Sequence, residues 1–262
     1  MKTNLLAKHR LTDTFLNKKN ILNIYFTAGF PSLHDTVRII KTLQKAGADI
    51  IEIGMPFSDP LADGETIQKS SQQAIENGMT LQLLFEQLQG IRNEVDIPLL
   101  LMGYLNTVLQ FGAENFCKKC QEVGIDGIIL PDLPMQEYIE EYKEIFENHG
   151  LVNIFLITPQ TSEQRIRQID EQSKGFIYVV STASTTGTKE GTSREQIPYF
   201  EKIRGMNLTT PQLIGFGISD KQSFEVATQY AHGAIIGSAF IKMLSQSTDI
   251  EKDILDFVSK IK

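Results

Sequence analysis

Residues 49–64 read DIIEIGMPFSDPLADG, and this stretch decides how the chain is read. Its first part, 50–53, is a short apolar run with one carboxylate, Glu52, inside it. Runs of about 4–8 apolar residues suit a buried strand. Side chains alternate along a strand, so Glu52 shares a face with Ile50, while Ile51 and Ile53 share the other. If both faces are covered, Glu52 is an interior carboxylate, which costs several kcal/mol unless it is paired, hydrogen-bonded or kept neutral. Gly54 ends the strand, and Pro56, Asp59, Pro60 and Asp63 shape a long loop that closes at Gly64. Such a loop returns a second acid, Asp63, towards Glu52. Two readings fit: an acid pair at a working site, or a core glutamate with a neighbouring cation and two turn-forming aspartates.

Working outward, apolar strand candidates recur at 22–27, 99–102, 127–130, 152–157, 176–180, 212–215 and 234–237. With 50–53 they make eight, separated by helix-like segments. Most carry little polar content, as expected of parallel strands buried on both faces. The helix after the first strand opens on an S-x-x-D pattern, Ser32 to Asp35, continues through Val37, Ile39, Ile40 and Leu43 at helical spacing, and stops at Gly47. Eight strand–helix units predict a single (β/α)₈ barrel over 1–262, and a chain of 262 residues suits a fold that takes about 250. An open doubly wound sheet is the alternative, but no GxGxxG follows the first strand. Two steps between strand ends are much longer than the rest, from Ile53 to Met102 and from Val180 to Gly215. They predict long βα loops after strands 2 and 6, the second reading STASTTGTKEGTSREQ, on the face where barrel active sites lie.

Composition narrows the function classes. A net charge of −7 argues against a nucleic-acid grip, which needs a basic face. No run of about 18 apolar residues predicts a membrane span. The first twenty residues lack the apolar core of a signal peptide and read as an extra amphipathic N-terminal helix, with Leu5, Leu6, Leu11, Phe15 and Leu16 on its apolar side. A cytoplasmic protein is expected. Cys117 and Cys120 form a lone CxxC, read as incidental reduced thiols.

The last three strands end in glycine turns: Thr186-Gly187-Thr188, then Gly215-Phe216-Gly217, then Gly237-Ser238 at the start of a helix. Glycine lets backbone approach a ligand, and a helix start offers free N–H groups, so a phosphate is expected there. None of the histidines at 9, 34, 149 and 232 lies at the carboxyl end of a strand, which disfavours a metal site. No lysine lies at a strand end, which disfavours a Schiff base. Glu52, Asp63 and the tyrosines Tyr25, Tyr104 and Tyr178 remain, a set suited to proton transfer on a neutral organic substrate.

These residues resemble one family along the whole chain, the alpha subunit of tryptophan synthase. The resemblance rests on IEIGMPFSDPLADG (51–64), YFTAGFP (25–31), LMGYLN (101–106), GIILPDLP (127–134), GFGIS (215–219) and IIGSAF (235–240). It implies a lyase that cleaves indole-3-glycerol phosphate to indole and glyceraldehyde 3-phosphate without metal or organic cofactor. By the same resemblance Glu52 is the catalytic acid–base and Asp63 the acceptor of the indole N–H. Tyr178 stands beside the glutamate, and Tyr25, Ile67, Met102 and Phe216 line the indole pocket. Thr186 belongs with the substrate-binding residues, and Gly187, Gly217, Gly237 and Ser238 hold the phosphate. The implied partner is a pyridoxal-phosphate-dependent beta subunit in an αββα assembly, contacted by the loop after strand 2, by the segment around Asn106 and by Asp132 and Pro134. The chain departs from the pattern at Phe30, Thr182, Ser184 and Glu65. A stand-alone indole-producing lyase and a non-catalytic phosphate-binding barrel that activates a partner are the alternatives.

Overall fold

The computed structural model describes residues 9–60, 63–181, 196–215 and 217–262. Its strands are β1 (Ile21–Thr27), β2 (Ile50–Gly54), β3 (Leu99–Met102), β4 (Gly127–Ile129), β5 (Val152–Asn153), β6 (Phe155–Ile157), β7 (Ile177–Val180), β8 (Gln212–Gly215) and β9 (Gly233–Ile236). All pair in parallel, in the order β5-β4-β3-β2-β1-β9-β8-β7-β6. The two ends of this order are halves of one extended segment. Val152 and Asn153 pair with β4, Phe155 to Ile157 pair with β7, and only Ile154 intervenes. The sheet therefore closes into a barrel, and the fifth of the eight expected strands is divided where the chain changes partner.

Helices α1 (Arg10–Asn17), α2 (Asp35–Ala46), α3 (Glu65–Glu76), α4 (Leu81–Gln87), α5 (Leu105–Phe111), α6 (Ala113–Val123), α7 (Met135–Glu137), α8 (Lys143–Asn148), α9 (Glu163–Gln172), α10 (Ile197–Gly205), α11 (Lys221–Tyr230), α12 (Ser238–Gln246) and α13 (Ile250–Ser259) accompany the strands. Alternation along each strand builds two cores. Ile24, Ile51, Ile53, Leu101 and Ile236 join the helices in the outer layer. Ile21, Ile50, Leu100, Phe176, Tyr178 and Ile235 fill the barrel with Leu11 of α1. Burying apolar area on both faces, at roughly 25 cal/mol per Å², is what holds these short strands together.

The amino-terminal end of the barrel is a stability face. Leu11 is fully buried there, and Phe15 packs 5.9 Å from Phe176. Asp49 accepts from the Leu22 N–H at 2.9 Å and pairs with Lys18 at 2.8 Å. Asp126 accepts from the Leu99 N–H and pairs with Arg10 and Arg92.

Three expectations change. Leu16 is 76% exposed: it lies about 140° round the helix from Leu11, off the face that Leu11 and Phe15 share. The pattern starting at Ser32 makes no capping box, because the Asp35 N–H is bonded to the Ser32 carbonyl and the helix starts after His34 without a side-chain cap. Gly47 does end α2, at φ +101°, with its N–H on Leu43 and Gln44. The long step after β2 holds α3, α4 and a short turn at Ile91–Asn93, so its irregular loop is confined to the stretch before Glu65. The expected loop after the sixth strand, including Thr182 and Ser184, lies outside the described residues.

Candidate active site

Parity along β2 turns Glu52 into the barrel beside Ile50, as the alternation requires, and Glu52 is wholly buried. Register sets Tyr25 of β1 directly opposite Glu52, with Asn23 opposite Ile50. The Asn23 side-chain amide donates from Nδ2 to Glu52 Oε1 at 2.5 Å. Glu52 Oε2 and Asn23 Oδ1 have no hydrogen-bond partner among the described residues. Burial pushes the Glu52 carboxyl up to about 8, against the opposing pull of the Asn23 amide. The cation of the alternative reading is not found: no ion pair to Glu52 occurs among the described residues, and the group is kept neutral instead.

Tyr25 and Tyr178 share this interior. Burial raises both phenols, and the carboxyls of Asp63 and Glu52 oppose their ionisation further. The two rings need glycine on the next strand. A Cβ at Gly54 would stand 2.2 Å from the Tyr25 hydroxyl, and one at Gly215 would stand 2.4 Å from the Tyr178 ring. Residues at these strand ends are therefore chosen for the rings that lie across them.

Asp63 precedes α3 and is half-buried. Its Oδ2 accepts from the Tyr104 hydroxyl at 2.8 Å. Burial raises this carboxyl and the Tyr104 bond lowers it. Phe57 packs against Tyr104 with ring centroids 5.2 Å apart. Together with Tyr25, Met55 and Met102 these side chains line a narrow cleft at the carboxyl ends of β2 and β3. Its walls are mostly aromatic and thioether side chains, with Asp63 as the one carboxylate. Glu52 and Tyr178 are not part of its lining.

Gly217 follows β8 at φ +76°, and Gly237 leads into α12, whose first residue is Ser238. The first N–H groups of α12 have no partner within the helix, and among the described residues no side chain caps it. An anion placed there meets free donors and the positive end of the helix dipole. A Cβ at Gly237 would lie 3.5 Å from the Tyr25 ring, so this turn adjoins the aromatic cleft.

Of the expected residues, Tyr25 stands opposite Glu52 in the β1–β2 register, Tyr178 shares the barrel interior, Tyr25, Asp63 and Met102 line the cleft, Gly237 adjoins the Tyr25 ring, and Gly217 and Ser238 follow β8 and β9. Ile67 is buried on α3 in the outer core and is not in the cleft lining. Thr186, Gly187 and Phe216 lie outside the described residues. One residue is added: Asn23 is the amide in the otherwise apolar start of β1, and its inward parity is the signal that marks it. Tyr104 is among the tyrosines expected at strand ends, but only the folded chain shows that its hydroxyl meets Asp63. Among the departures, Phe30 is buried and Glu65 opens α3, paired with Lys69. Cys117 and Cys120 are buried, free thiols, with Cys117 pushed up to about 12 by burial.

The closed parallel barrel, with one carboxyl buried inside it and a second lining the cleft beside it, places the chain in the (β/α)₈ class. The family model described as tryptophan synthase alpha chain matches residues 12–261. The tryptophan synthase alpha chain of Flavobacterium psychrophilum is 61% identical over 253 residues, covering 97% of this chain and 99% of that one. That of Flavobacterium johnsoniae is 60% identical, covering 97% and 100%. The crystal structure of tryptophan synthase subunit alpha from Legionella pneumophila superposes with a TM-score of 0.86 at 31% identity, over 97% of each chain. The chain belongs to the tryptophan synthase alpha chain family.

Proposed function

We propose that Glu52 and Asp63 are the acid–base pair with which this chain cleaves indole-3-glycerol phosphate. The reaction is that of the family, a carbon–carbon lyase step giving indole and glyceraldehyde 3-phosphate. The observation that carries the assignment is a fully buried carboxyl balanced near neutrality, beside a cleft whose one carboxylate is Asp63. Protonated Glu52 gives its proton to C3 of the indole ring. The bond between C3 and the glycerol carbon then breaks, its electrons restoring the aromatic ring, as the glycerol hydroxyl becomes the aldehyde. Glu52 takes the hydroxyl proton and returns to its starting state. A group that titrates at about 8 can do both, and such positioned groups are worth about 10²–10⁴-fold. Asp63, held by Tyr104, accepts the indole N–H and stabilises the positive charge that grows on the protonated ring. Tyr25 and Met102 flank the ring with Phe216, Ile67 backing them from α3; Tyr178 and Thr186 complete the substrate contacts, and Gly187, Gly217, Gly237 and Ser238 hold the phosphate.

We further propose that the 262 residues form one domain, that it works in the cytoplasm, and that a pyridoxal-phosphate-dependent beta subunit docks on the carboxyl face to receive indole in an αββα assembly. The support is a contiguous surface on three adjacent strands: Phe57 after β2, exposed Asn106 and Leu109 after β3, and Asp132 after β4, whose carboxylate accepts from the Leu105 N–H at 2.9 and 3.1 Å. Among the described residues no helix is long and apolar enough to cross a membrane. Release of glyceraldehyde 3-phosphate, measured alone and with a beta subunit, tests the whole reading. Slow turnover that rises strongly with the partner is expected, with loss of turnover in Glu52→Gln. Full turnover in that variant would refute the acid–base assignment.

A further inference from the structure

We propose that Asn23 is a positioning residue for Glu52: its amide holds one carboxyl oxygen and thereby assigns the travelling proton to the other. The inference rests on the reading of Glu52 as the acid–base group. Three observations lead to it. Asn23 is a fully buried amide on an inward-facing strand position, where an amide without a role costs about 1–3 kcal/mol. Among the described residues its one side-chain bond goes to Glu52 Oε1, at 2.5 Å. The remaining atom of each group, Asn23 Oδ1 and Glu52 Oε2, has no partner among the described residues.

The chemistry follows from what an amide nitrogen can do. Nδ2 only donates, so Oε1 must accept whether Glu52 is protonated or ionised. In the neutral acid the proton therefore sits on Oε2, and in the anion the same bond stabilises the charge left behind. Each turnover leaves the Asn23 bond in place, and Oε2 alone gives and receives the proton. The carboxyl is locked in rotation, which leaves one productive geometry for transfer to carbon and back from the hydroxyl.

The other titratable groups facing this site are Tyr25 from β1, Tyr178 from β7 and Asp63 from the loop after β2. None is a cation. Asn23 is thus the group among the described residues whose hydrogen bond favours the Glu52 anion.

The test compares wild type, Asn23→Leu, Asn23→Asp and Glu52→Gln as purified full chains saturated with beta subunit. Leucine keeps the volume and removes the donor. Aspartate keeps the shape and exchanges the donor for a second acid, and it decides the matter if the leucine variant does not fold. Two quantities are read: kcat and KM for indole-3-glycerol phosphate across pH, and the carboxyl C=O infrared band of Glu52 through a pH titration, assigned by its loss in Glu52→Gln. Expected for folded Asn23 variants is a fall in kcat of about 10–100-fold, from the size of a hydrogen bond to a charged group, with KM within about threefold. The Glu52 midpoint should rise by about one pH step or more. Wild-type kcat with an unmoved midpoint would overturn the proposal, and so would a loss confined to KM or stability. Turnover persisting in Glu52→Gln would instead overturn the acid–base reading itself. An inactive Glu52→Gln beside normal Asn23 variants would overturn only the role of Asn23.

Discussion

Replacing Glu52 with Gln keeps the side chain's shape and an oxygen for the Asn23 amide, but removes the titration. The carboxyl is wholly buried and titrates at about 8 in place of 4.5. Between these values the folded chain keeps a proton that the unfolded chain has released, so stability falls as pH rises. The contribution from this group is fully present below 4.5 and is lost by the time pH passes 8. Each pH step over that window costs about 1.4 kcal/mol, so the total is on the order of 4–5 kcal/mol, a large share of a typical domain's stability. Glu52→Gln lacks this loss. Its stability relative to wild type should therefore grow across the window by several kcal/mol and level off above pH 8. Urea unfolding of both proteins at half-unit steps from pH 5 to 9 measures the difference directly. Parallel curves, with a constant gap at all pH values, would refute the claim that a buried neutral carboxyl is the resting state.

Three further outcomes follow from the geometry. Tyr104→Phe removes the donor that lowers the Asp63 carboxyl, so its titration moves further up. About tenfold lower kcat is expected, recovering as pH rises, and a pH–rate profile identical to wild type would sink the idea. Gly54→Ala drives a Cβ onto the Tyr25 hydroxyl and should cost about 1–3 kcal/mol in urea unfolding, part of it recovered in the Tyr25→Phe background. Ser238→Asp sets a carboxylate at the start of α12. The helix itself should gain about 0.3–1 kcal/mol while KM for the phosphorylated substrate rises at least about tenfold. An unchanged KM would remove α12 from phosphate binding.

Local pattern carried much of this protein. The eight apolar runs, the stop at Gly47 and the inward turn of Glu52 are properties of neighbours along the chain, set by the two-residue repeat of a strand and by glycine's access to positive φ. They sufficed for the barrel and for one member of its acid pair, and the ordered motifs from YFTAGFP to IIGSAF sufficed for the family. Other features needed the folded chain. The division of the fifth strand at Ile154 is a matter of which strands lie on either side of it. Above all, the contacts that tune the two acids join residues far apart in sequence: Asn23 to Glu52 across one strand pair, and Tyr104 to Asp63 across two helices. A residue type and its periodicity predict whether a side chain turns inward. Which atom it meets there is decided by strand register and barrel closure, because only these set the distances over which a hydrogen bond can form or a buried charge be neutralised.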